Sequence, residues 1–73
     1  MDNLRKAMLA AQAAADEATT IAKYLEMLLS MQDGENSEEI NREYREIIAD
    51  EFNHIAKFTT LSASLCGIEI PED

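Results

Sequence analysis

Within this 73-residue chain the turn-forming residues gather at one place, Asp33-Gly34-Glu35-Asn36-Ser37, and the composition on either side is that of a long helix. Gly34 suits the left-handed residue that closes a helix, and Asn36 with Glu39 three places later has the spacing of a capping box. Asp2 or Asn3 can cap the first helix, Cys66-Gly67 can close the second, and Pro71 bars any return to helix. The expectation is one all-α domain over residues 1–73: a helix at about 3–32, a turn at 33–36, a helix at about 37–66 and a short tail. Each helix is then ~45 Å long at 1.5 Å per residue.

The apolar stripes say how such a hairpin must be completed. In the second helix Ile40, Tyr44, Ile47, Glu51, His54, Phe58, Leu61 and Leu65 follow alternating steps of four and three, the spacing of a packed helical seam. In the first, Ala10, Ala14, Glu17, Ile21, Tyr24, Leu28 and Met31 do the same. A second series beside it, Leu4, Met8, Ala11, Ala15, Ala18, Ala22, Leu25 and Leu29, is apolar throughout. So wide an apolar arc exceeds what one neighbouring helix covers, which predicts a bundle of at least four helices. A chain this short also buries little surface alone, and its single cysteine, Cys66, leaves no internal disulfide to help. The economical solution is a twofold homodimer, alone or as a unit of a ring of dimers, with metal as a further source of stability.

Charge narrows the function. Fifteen acids against six Lys and Arg, a net charge of −9, argue against nucleic acid and anionic membrane surfaces, since phosphate binding needs clustered cations. The 47% hydrophobic content argues against disorder. No apolar run approaches the ~20 residues of a membrane span, and the alanines ending at Ala15 make a weak signal sequence. With one unpaired cysteine, the expected compartment is the reducing cytoplasm.

Three polar residues interrupt the seams: Glu17 in the first helix, Glu51 and His54 in the second. Residues 51 and 54 are three apart and leave one helix face together. With the turn centred between Gly34 and Glu35, the residue level with Glu17 across the hairpin is near 52, so all three stand at one height. Buried carboxylates need counter-charge, and Lys23, Arg42, Arg45 and Lys57 fall on other faces. A divalent cation is the partner left over. Twofold symmetry doubles the set to four Glu and two His, the inventory of a dinuclear carboxylate site. Carboxylate oxygen with imidazole nitrogen suits Fe or Mn, and Zn competes.

Glu17 followed seven residues later by Tyr24, and the run Ala49-Asp50-Glu51-Phe52-Asn53-His54, resemble the two halves of the ferritin and rubrerythrin motif. With one half-unit over residues 10–67, the chain is similar to the small encapsulated ferritins. The resemblance implies a di-iron centre at a dimer interface, two Fe per dimer, with Glu17, Glu51 and His54 as ligands and oxidation of Fe(II) to Fe(III) by dioxygen or peroxide. It also brings in an encapsulin shell as partner, which the Pro71-Glu72-Asp73 end, unlike a cargo-targeting peptide, does not support.

Plainer readings stand beside these. Tyr24 and Tyr44 suit either hydrogen bonds to the ligand carboxylates or ordinary core packing. Met8, Met27 and Met31 read as gap-fillers, Cys66 as a small buried residue at a helix end, and Glu35, Glu38, Glu39 and Glu43 as a favourable helix start on a solvated face. Asp16 and Asp50 point ~100° away from their ligand neighbours. Two other functions compete with iron handling: a non-enzymatic helical module that assembles with itself or a host, and an acidic decoy of nucleic acid, which needs acids arrayed outward.

Overall fold

The computed structural model describes residues 2–31 and 37–71 and consists of two helices, α1 (Asp2–Ser30) and α2 (Ser37–Cys66), packed antiparallel. The turn at 33–36, the Gly34 closure and the Asn36–Glu39 capping box fall wholly or partly on residues outside those described. Helix α1 begins at Asp2, which places both Asp2 and Asn3 inside its first turn. It is free of Gly and Pro, and its only β-branched run, Thr19-Thr20-Ile21, is accommodated because each threonine hydroxyl donates to the carbonyl four residues back. At its end the Met31 amide donates to both Met27 and Leu28 carbonyls, tightening the last turn one residue beyond Ser30.

The end of α2 is closed as expected. Gly67 takes φ +73°, its amide donates to Ser64 O at 3.1 Å, and the Ile68 amide donates to Ala63 O at 2.9 Å. That pair of bonds is a Schellman closure, which needs a left-handed residue and so favours glycine.

The α1 seam is the one expected. Ala7, Ala10, Ala14, Ile21 and Leu28 are buried, and Glu17, Tyr24 and Met31 fill the remaining steps half-buried. Bulk is unevenly distributed along it. Alanines occupy the open end, where the Ser62 hydroxyl donates to the Ala7 carbonyl at 2.7 Å. Toward the turn, Ile21, Leu28 and Ile48 form the buried cluster, with Tyr24, Met31, Tyr44 and Ile55 packed against it.

Helix α2 uses a different register from the one its spacing suggests. Facing α1 are Asn41, Tyr44, Ile48, Glu51, Ile55, Phe58, Ser62 and Leu65. Tyr44, Glu51, Phe58 and Leu65 belong to both series, but Ile40, Ile47, His54 and Leu61 lie exposed on the flank: Ile47 is 37% exposed where Ile48 is 7%. Steps of four and three exist here in two overlapping registers, and a single facing helix can fill only one. Two smaller expectations also fail. Leu65 holds the seam position, so Cys66, rotated ~100° from it, is exposed. Met8 and Met27 are exposed as well, and only Met31 packs against the cluster.

The apolar series of α1 from Leu4 to Leu29 is exposed along its whole length. The chain measures 52 × 23 × 15 Å with a radius of gyration of 15.8 Å, against about 11 Å for a compact domain of this length. Its 5847 Å² of accessible surface exceeds by roughly 1,300 Å² what a compact chain of this mass presents. No helix is long and apolar enough to cross a membrane among the described residues.

Candidate metal centre

Glu17 leaves α1 from a seam position between Ala14 and Ile21, and Glu51 leaves α2 between Ile48 and Ile55, so the fold forces both carboxylates into the crevice between the helices. The Glu17 side chain is 25% exposed and that of Glu51 17%. His54, one turn beyond Glu51, stands on the flank at 49% and turns its ring back over the crevice. Its Nδ1 lies 3.3 Å from Glu17 Oε2 and 3.3 Å from Glu51 Oε1. One donor atom from each of the three lies within 4.8 Å of the others. The height predicted for Glu17 from the hairpin geometry is thus the height at which it meets the pair on α2.

The electrostatics are those of a site short of positive charge. The Glu51 carboxyl is held above its ordinary value of 4.5, first by the hydrogen bond it shares with Glu17, then by partial burial and by the negative charge of Glu17; His54 pulls it the other way.

The spacing fits a metal as well as a proton. Ligands at about 2.1 Å from one ion stand about 3.0 Å apart as octahedral neighbours and about 3.4 Å apart in a tetrahedron. The two 3.3 Å edges at His54 fall in that interval.

Tyr24 and Tyr44 pack edge to face, ring centres 5.4 Å apart at 60°. They belong to the cluster at the turn end, about 10 Å along the helices from Glu17 and Glu51. The residues that bracket the site, Ile48 and Ile55, escape a reading built on Ile47 and His54. Their signal is the same seven-residue spacing, displaced by one position.

No known protein family, curated protein or solved structure matches this chain. What the site can do therefore follows from its own side chains.

Proposed function

We propose that the chain is a ferritin-like metal-binding protein in which Glu17, Glu51 and His54 hold iron, with Mn or Zn as competitors, and that two copies join into a four-helix bundle carrying two ions. The observation that carries this reading is the convergence of three metal-competent donors from two helices within 4.8 Å. Chance proximity on one helix face would account for Glu51 and His54, but not for Glu17, 37 residues away from the histidine.

The face on which the second copy docks is the flank of α2. Ile40, Ile47, His54 and Leu61 are spaced by seven and exposed, and Ile47 and Leu61 stand symmetrically about His54. An antiparallel partner related by a twofold axis at His54 covers these residues and brings the two ligand sets together. Iron held there by Glu17, Glu51 and His54 would supply one-electron chemistry toward dioxygen or peroxide, with the carboxylates offsetting its charge and Ile48 and Ile55 limiting water. The compartment in this reading is the cytoplasm, inside or outside a larger shell.

Metal analysis and native mass measurement on protein purified from iron-supplemented cells test the proposal: about two ions per pair of chains is the expected result. Absence of metal, together with unchanged iron oxidation in Glu51→Ala, would sink it. The exposed apolar rows also suit a helical module that assembles without metal. In that case chelator leaves the oligomer intact and Glu17→Ala changes nothing.

A further inference from the structure

The hairpin has two unpartnered sides, and the His54 flank accounts for one. Residues on either side of a helical seam fall on opposite sides of an antiparallel pair, and the surface grooves follow that division. One groove joins Lys6, Leu9 and Ala13 to Phe58 and Leu61; the other joins Leu25 and Leu29 to Asn41 and Arg45. His54 shares the seven-residue row of Leu61, so it belongs to the first side. The exposed α1 row from Leu4 to Leu29 belongs to the second.

We infer that this second side is a separate self-association surface, on which α1 of one copy packs antiparallel against α1 of another about a twofold axis between Ala15 and Ala18. The row is its own complement under that operation. Leu4 meets the partner's Leu29, Met8 meets the partner's Leu25, and the four alanines between them meet one another. Large residues thus oppose large and small oppose small, as an isologous interface requires. Leu4 and Leu29 are the most exposed large apolar residues of the helix, at 63% and 65%.

Arg5 and Glu26 border the row on its outer edge, one near each end, and antiparallel pairing brings Arg5 near the partner's Glu26 at both ends of the interface. Phe52, 55% exposed, stands on this side of α2 at the height of Glu17, where it can close over the alanine centre.

This surface owes nothing to the metal ligands, so its test separates from theirs. Full-length protein carrying Cys66→Ser with Met8→Cys and Leu25→Cys is oxidised in chelator and again with Fe(II) loaded anaerobically before oxidation, and the bridges are mapped by peptide mass. The two introduced positions are ~25 Å apart on one helix, so bridging within a chain is excluded. The expected product in both conditions is the bridge from position 8 to the partner's position 25. Bridges between like positions, or no bridge at all, overturn the proposal. A second measurement does not depend on thiols: Arg5→Glu and Glu26→Arg each weaken self-association in chelator by about fivefold, and the double variant recovers it. Equal affinities in all four proteins overturn the pairing register. Loss of metal binding in Glu51→Ala with the 8-to-25 bridge retained separates this surface from the metal site.

Discussion

Glu17 and His54, 37 residues apart in the chain, stand 3.3 Å apart across the hairpin, and Glu51 stands at the same distance from the same imidazole nitrogen. The histidine is the member of the triad that touches both carboxylates, and it lies on the flank where the metal-bearing dimer is proposed.

In the proposed function, metal is a structural partner as well as a reactive one. With free Fe(II) or Mn(II) at 100-fold above its dissociation constant, binding to the native state contributes about 2.7 kcal/mol. For a chain of this size that raises the melting temperature on the order of 10 °C. Differential scanning calorimetry should show the rise in wild type and lose it in Glu17→Ala, Glu51→Ala and His54→Ala; an undiminished rise in any one removes that residue from the ligand set.

Acid should favour the metal-free protein. Glu51 is raised in the folded state, so its contribution to stability is complete below its unfolded value near 4.5 and is lost as pH rises through the higher folded value. Melting in chelator from pH 4 to pH 7 is expected to show that decline, and Glu51→Gln to flatten it. An identical slope in the variant would mean that the Glu17–Glu51 pair does not exist in solution.

The register of α2 can be read from two neighbouring substitutions. Ile48→Ala opens a cavity in the buried cluster and should cost about 2–4 kcal/mol in urea unfolding. Ile47→Ala should leave the hairpin itself nearly unchanged and instead alter how the midpoint depends on protein concentration. Equal costs at both positions would contradict the observed register.

Gly67 supplies a purely conformational test. A Cβ there meets nothing within 4 Å, so Gly67→Ala carries only the cost of holding φ +73°, about 1 kcal/mol. Chemical denaturation measures it, and a loss above about 2 kcal/mol would indicate crowding that the structure does not contain.

Much of this arrangement is legible in the residues themselves. The α1 seam from Ala10 to Met31, the Gly67 closure and the common height of Glu17, Glu51 and His54 all follow from spacing and one turn position. The α2 register does not, because Tyr44, Glu51, Phe58 and Leu65 satisfy two patterns at once, one completed by Ile48 and Ile55, the other by Ile47 and Leu61. Both are real surfaces, and periodicity alone does not say which one its own chain covers. Cys66 shows the same limit at a helix end: one residue's rotation separates the Leu65 seam position from solvent, and apolar character does not reveal it.

The uneven bulk along the seam has a kinetic consequence. Bringing Tyr24 to Tyr44 closes a far shorter loop than bringing Ala7 to Ser62, a difference of about 0.9 kcal/mol in closure entropy. The large side chains reward the short loop, and the alanines offer little to reward the long one. Zippering is expected to start beside the turn and to leave the open end to fray. Amide exchange slow around Ile48 and fast around Ala7 is the expected sign of that gradient in local stability, with Glu17, Glu51 and His54 between its two ends.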